Sequence, residues 1–136
     1  MNGNDKQQAA QLLAEGRFVY NLGQFDEALR LYDRALRLDP NDAQVWYAKG
    51  NVFRNWHRQL PAPAASRHAE AIPCYKRAVA LDPNFADAWG NMGVSFGASG
   101  DHEQALACFT KALEIQPSDQ QWLQMKGVAS QKLGRK

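Results

Sequence analysis

The sequence lacks the features that mark a secreted or membrane-spanning protein. Its 136 residues include only two cysteines, and no apolar run approaches the roughly 20 residues that a spanning helix needs. The N-terminus, MNGNDKQQ, has neither the basic nor the apolar region of a signal peptide. We therefore expect a cytoplasmic protein in which Cys74 and Cys108 are buried, reduced thiols.

An excess of charge of one sign is also missing. The chain has sixteen basic and fourteen acidic residues, so its formal net charge is +2. A surplus this small gives no reason to expect binding to nucleic acid or to a membrane. The hydrophobic content of 45% is that of a folded chain, with room for one compact domain or one short solenoid.

Catalytic and metal-binding patterns are absent from the sequence. His57, His68 and His102 have no cysteine or carboxylate partner at a spacing typical of metal ligands or activated nucleophiles. The glycine-rich GASG segment at 97–100 lacks the Lys-Ser or Lys-Thr of a phosphate-binding loop. We expect solvated histidines, no metal, no cofactor and no enzymatic activity.

What the sequence does contain is a repeat of small, aromatic and proline residues. The recurring positions are Gly16, Gly50, Gly93 and Gly127; Ala28, Ala71 and Ala105; Tyr32, Tyr75 and Phe109; and Pro40, Pro83 and Pro117. Neighbours within each series are 34 residues apart except for one interval of 43. One insertion of nine residues, between Gly50 and Ala71, accounts for every exception.

Each unit has the pattern of two amphipathic helices. In the first unit, Gly23 follows an apolar stripe and is the residue expected at a helix end with positive φ. Asp26 and Glu27 then open a second stripe that stops at Asp39-Pro40-Asn41. Small residues at the recurring positions are expected to let the two helices approach closely.

A 34-residue period with this pattern resembles the tetratricopeptide repeat. The departures are Leu12 where the family has Trp, Glu15 and Lys49 where it has Leu, and Val19 where it has Tyr. The resemblance implies an all-α fold, a right-handed solenoid of three helix-turn-helix repeats plus a C-terminal capping helix.

The repeat divides the chain into five parts. They are a flexible N-terminus (1–8), repeat 1 (9–42), repeat 2 (43–85) with its insertion around 59–67, repeat 3 (86–119) and a capping helix (120–136). The first helix is expected to start near Ala9, with Asn4 or Asp5 as its cap.

The insertion is expected to alter repeat 2. Without a helix breaker before it, the first helix of this repeat is expected to run on through His57. The Pro-Ala-Pro segment that follows favours an extended, protruding loop, with Trp56 packed locally against the hairpin. Because of Pro73, the next helix is expected to start near His68 or Ala69.

The resemblance also implies a binding surface, because family members present the first helix of each repeat on a concave wall that receives an extended peptide or a partner helix. Carried onto this sequence, the predicted groove residues are Arg17, Tyr20, Asn21, Tyr47, Asn51, Arg54, Asn55 and Asn91. Asparagine can pair with a ligand's backbone and arginine can hold a carboxylate bidentately. We predict a protein–protein interaction module whose partner is a protein or peptide, with an acidic peptide as one candidate; the alternative is that these side chains form solvated helix faces.

A more specific role is disfavoured. Chaperone adaptors of this family clamp the C-terminal carboxylate of heat-shock chaperones with lysine, asparagine and arginine side chains. The matching positions here are Leu13, Arg17, Ala48, Asp87 and Asn91. That clamp is therefore absent in this register.

Two other classes of function stay open at this stage. A self-assembling scaffold would pair copies through Trp122, Met125 and the last apolar face, whereas the interaction module is expected to be a monomer. An enzyme would need a deep pocket that joins Arg54, His57 and His68.

Overall fold

The computed structural model describes residues 3–61 and 65–134, and in these residues every regular element is helical. The helices are α1 (Gly3–Asn21), α2 (Phe25–Leu38), α3 (Ala43–Arg54), α4 (His68–Leu81), α5 (Ala86–Ala98), α6 (His102–Ile115) and α7 (Gln120–Lys132), with a 3₁₀ turn at Trp56–Arg58. The prediction of an all-α fold is confirmed. Three hairpins, α1–α2, α3–α4 and α5–α6, stack in chain order, and α7 packs on the last one.

The recurring small residues lie where the two helices of a hairpin touch. The three pairs are Gly16 with Tyr32, Gly50 with Tyr75 and Gly93 with Phe109. A Cβ atom at Gly50 would lie 2.7 Å from a ring carbon of Tyr75, which is closer than van der Waals contact permits. The sequence period therefore reflects one repeated contact, in which the aromatic ring of the second helix fills the space beside a glycine of the first helix. We call this space the glycine notch.

The prolines that end the second helices also join successive hairpins. The indole Nε1 of Trp46 donates a hydrogen bond of 2.8 Å to the carbonyl oxygen of Pro40. One repeat later, Trp89 donates in the same way to Pro83 at 2.9 Å. A proline turn therefore both stops one helix and anchors the first turns of the next.

The first helix begins at Gly3, six residues before the start predicted near Ala9. Asp5 lies inside its first turn, so neither Asn4 nor Asp5 is the cap. The reason is that Lys and Gln are good helix formers and nothing in this stretch breaks a helix, while an acid in the first turn favours the helix dipole. Residues 1 and 2 lie outside the described part of the chain.

The prediction that α3 runs on through His57 is wrong. The helix ends at Arg54, and the chain then forms the 3₁₀ turn. This turn carries the Trp56 ring to 6.2 Å from the ring of Phe25 and 6.2 Å from that of Phe53, with the Arg67 guanidinium 4.5 Å above it. The expected local packing of Trp56 is confirmed. This packing is the physical reason that α3 ends at Arg54.

The first residues of the insertion are attached to the first repeat. The Leu60 amide donates to the carbonyl oxygen of Gly23 at 3.1 Å, and Gln59 Nε2 donates to Asp26 Oδ2 at 3.4 Å. The backbone hydrogen bond attaches the loop to the α1–α2 turn. The predicted protruding loop includes residues 62–64, which lie outside the described residues.

Both cysteines are buried, as predicted, and their burial makes a testable difference to reactivity. Desolvation raises the pKa of Cys74 to about 11 and that of Cys108 to about 12. Because the thiolate is the reactive form, we expect a disulfide reagent at pH 8 to label Cys74 on the order of 100-fold, and Cys108 on the order of 1,000-fold, more slowly than free cysteine. Denaturant should restore ordinary rates, and Cys74→Ser and Cys108→Ser variants assign each rate. Rapid labelling of the folded protein would contradict this prediction.

Candidate functional site

The eight side chains predicted for the groove lie on α1, on α3 and its C-terminal end, and on α5. Seven of them take part in hydrogen bonds that cross between helices. These seven are Arg17, Tyr20, Tyr47, Asn51, Arg54, Asn55 and Asn91. Arg17 and Asn21 are also exposed.

Asn55 connects the end of α3 to α1. Its amide Nδ2 donates to the Tyr20 hydroxyl at 2.6 Å, and the residue is only 8% exposed. The Tyr20 ring in turn stacks on Phe25, with 4.9 Å between ring centres. Asn55 therefore holds the repeats together and has little surface left for a ligand.

A second set of bonds connects α3, α4 and α5. Asn91 Nδ2 donates to the Tyr47 hydroxyl at 3.1 Å and to Asn51 Oδ1 at 3.2 Å, while the Tyr75 hydroxyl donates to the same Asn51 oxygen. Asn91 is 8% exposed. With its oxygen used by two donors, Asn51 can offer a ligand its amide Nδ2.

Arg54 is fixed by the same chain of bonds. Its Nε donates to the Tyr75 hydroxyl at 3.1 Å. Burial raises the pKa of Tyr75, while the charge of Arg54 and its hydrogen bond act in the opposite direction. The phenol stays protonated, so it can accept from Arg54 and donate to Asn51 together, and the Nη atoms of Arg54 can still hold an anion.

Arg17 and Asn21 border a small pocket between α1 and α3. The pocket has a volume of about 190 Å³ and is lined by Arg17, Tyr20, Asn21, Tyr32, Tyr47, Ala48 and Asn51. Arg17 Nη2 donates to Gln44 Oε1 at 3.2 Å. Five of the predicted residues therefore line one opening, and Arg17, Asn21 and Asn51 supply its cationic and amide groups.

Tyr75 was not among the predicted groove residues and appeared in the sequence only as one of the recurring aromatic positions. A signal was present, since the recurring aromatic is tyrosine at positions 32 and 75 but phenylalanine at position 109. The Tyr75 hydroxyl reaches from a second helix into the polar chain of the first helices.

The histidines are not all solvated. His68 Nδ1 lies 3.1 Å from the hydroxyl of Ser95, which is fully buried, and His57 Nδ1 lies 2.6 Å from Ser66 Oγ. Burial lowers the pKa of His68, with smaller contributions from Arg54 and His57. His57 and His68 are thus held by different partners.

These features define a class of protein: a short solenoid of helical hairpins with a polar, hydrogen-bonded face along its first helices. Family models agree. The model described as TPR repeat matches residues 16–55 and 64–100, and that described as tetratricopeptide repeat matches residues 86–119. The chain belongs to the tetratricopeptide repeat family.

Among curated proteins, the chain is similar to mouse tetratricopeptide repeat protein 33. The two are 34% identical over 64 residues, which are 47% of this chain. The matched segment is 24% of the length of that relative.

Solved structures share the fold. The first TPR domain of Spaghetti (RPAP3), bound to the HSP90 peptide SRMEEVD, has a TM-score of 0.85 at 22% identity and covers 95% of each chain. MamA has a TM-score of 0.81 at 25% identity over 93% of this chain and 68% of its own. The Arabidopsis OM64 TPR domain has a TM-score of 0.82 at 16% identity, over 93% of this chain and 98% of its own. The predicted right-handed solenoid is confirmed.

Within the described residues, none of the helices combines the length and the apolar character that crossing a bilayer requires.

Proposed function

We propose that this protein is a non-catalytic, cytoplasmic interaction module. It binds a peptide or helix of a partner protein along α1, α3 and α5. The observation that carries the proposal is the convergence of Arg17, Asn21 and Asn51 on one opening, with Arg54 fixed beside it by Tyr75. Cations and amides held on a rigid scaffold suit an acidic segment in extended conformation.

The hydrogen-bonded chain supports this function by holding ligand groups in place before binding. Asn51 and Arg54 are oriented by Tyr75, which is fully buried. Groups that are already ordered lose little conformational freedom when a ligand arrives. In this proposal Asn55 and Asn91 do not contact the ligand but hold the helices of the groove together.

The ligand is expected to differ from the one in the Spaghetti (RPAP3) structure. Leu13, Ala48 and Asp87 stand at the places where chaperone adaptors carry clamp residues. A terminal carboxylate therefore has Arg17 and Arg54 as its candidate partners.

The groove is tested by reversing one exposed charge. In a peptide-array screen, ligands of the wild type are expected to bind Arg17→Glu about tenfold more weakly, since attraction to an acid becomes repulsion. Arg34→Glu is the matched control, because Arg34 is also exposed but lies on α2. Equal weakening by both variants, or by neither, would place recognition outside the groove.

Self-assembly is the second candidate function. Leu123 and Val128 on α7 are each 44% exposed, which favours a contact made by this helix. Trp122, however, is 2% exposed and packs inside the chain, so it cannot serve the interface predicted for it. Light scattering separates the two functions, because the interaction module is expected to have the mass of a monomer without ligand.

A further inference from the structure

The structure has a cleft between the second helices α4 and α6, over α5, which we call the α4–α6 cleft. The equivalent position one repeat earlier, between α2 and α4 over α3, is called the α2–α4 cleft. The α4–α6 cleft has a volume of about 360 Å³ and is lined mainly by Lys76, Val79, Trp89, Met92, Phe96 and Cys108. It does not overlap the proposed groove, which is formed by the first helices.

The α4–α6 cleft is apolar and shaped by fixed side chains. Met92 is 3% exposed and forms part of its floor, while the rings of Trp89 and Phe96 are half-buried. The Trp89 indole is oriented by its bond to Pro83. A volume of this size, with aromatic walls and few polar groups, is typical of a binding pocket.

The equivalent α2–α4 cleft is closed by charged side chains of the protein itself. Lys49 Nζ lies 2.7 Å from Asp33 Oδ1 and 5.6 Å from the centre of the Trp46 ring. The Arg67 guanidinium lies 4.9 Å from the centre of the Phe53 ring. A cationic group of the protein therefore lies over each of the two aromatic rings of this cleft, those of Trp46 and Phe53.

The ion pair that closes the first cleft cannot form in the second. Lys76 is the equivalent of Asp33 one repeat later, and Met92 is the equivalent of Lys49. The second cleft therefore has a lysine and a methionine where the first has the ion pair. Lys76 Nζ lies 5.9 Å from the centre of the Phe96 ring. Asp101 takes the place of Arg67 in the repeat, and its carboxylate caps α6 by accepting from the Gln104 amide at 3.1 Å.

We propose that the α4–α6 cleft is a second binding site, for an acidic peptide segment of a partner protein. The segment places a bulky apolar side chain over Met92, between Trp89 and Phe96, and a carboxylate against Lys76. An exposed cation beside an apolar cleft is complementary to an acid next to an apolar residue. This site acts independently of the proposed groove.

The test uses a capped tetrapeptide of sequence glutamate–phenylalanine–leucine–glutamate, followed by NMR of the indole N–H groups. The Trp89 signal, assigned with Trp89→Phe, is expected to shift in a saturable way. Lys76→Glu should weaken binding about tenfold, because an exposed ion pair is replaced by repulsion. The same peptide with lysine in place of glutamate should bind about as weakly.

The two clefts also provide a reciprocal control. Lys76→Asp/Met92→Lys copies the closed cleft and is expected to abolish the Trp89 shift. Asp33→Lys/Lys49→Met/Arg67→Asp copies the open cleft and should make the Trp46 signal respond. Lys76 is exposed, so Lys76→Glu keeps the test decisive if a multiple variant fails to fold.

An unchanged Trp89 signal, or equal binding by wild type and Lys76→Glu, overturns the proposal. Arg17→Glu is expected to leave the Trp89 response intact. If Arg17→Glu removes that response, the peptide is bound in the proposed groove and the α4–α6 cleft is not a site.

Discussion

Replacement of Trp122 by alanine is expected to detach α7 from the end of the solenoid. The indole ring is 2% exposed, stacks 6.1 Å from the ring of Phe109, and fills the space where Gly90 has no Cβ atom. Truncating a buried tryptophan costs about 3–5 kcal/mol, and a terminal helix packs against one hairpin only. Hydrogen exchange should therefore become fast throughout α7, while α1 to α4 stay protected.

Leu123→Ala is the matched control for this prediction. Leu123 is adjacent in sequence but 44% exposed, so its truncation should cost less than about 1 kcal/mol. Denaturant unfolding measures both free energies. If α7 exchanges slowly in Trp122→Ala, or if the two variants lose equal stability, the indole ring is not what docks this helix.

The second prediction is a pair of glycine substitutions with opposite signs. Gly50→Ala is expected to lower the free energy of unfolding by about 1–2 kcal/mol, since overpacking costs about 1–3 kcal/mol and alanine's better helix propensity recovers part of it. Gly127→Ala, at the equivalent position of α7, meets nothing within 4 Å. It should raise the free energy of unfolding by about 0.5–1 kcal/mol.

The steric cost at Gly50 is hard to relieve because Tyr75 is held in place. A Cβ atom would lie within 3.0 Å of three of its ring carbons, and its hydroxyl is bonded to Asn51 and Arg54. Gly50→Ala is therefore expected to weaken peptide binding in the proposed groove as well. Unchanged or increased stability in Gly50→Ala would show that the ring moves freely, and the role given to Tyr75 would be wrong.

Much of the fold follows from the sequence because the repeat constrains it several times over. Glycine and the aromatic residue recur together, so every hairpin packs in the same way. The proline turns mark where the second helices end. The insertion and the start of the first helix each occur only once in the sequence, so no second copy indicates how they fold. The start of α1 at Gly3 and the return of Leu60 to Gly23 were missed for that reason.

The sequence indicated which predicted groove residues share a face, but not which of them bond to each other. A helical period states which side chains share a face, and Arg17, Asn21 and Asn51 do share an opening. It does not state which polar groups pair with each other. Asn55 and Asn91 were assigned to a ligand, but they are buried and bonded to Tyr20 and Tyr47.

The linear sequence determined the helical hairpins, their order and the glycine notches, because these depend on residues close together within one repeating unit. The contacts between units depend on chain segments that meet only after folding. Gly90 lies beneath Trp122, and the ion pair that closes one cleft is missing from the next. Such contacts are settled by packing in three dimensions, where side-chain volume and charge at a junction decide whether a space is filled or left open.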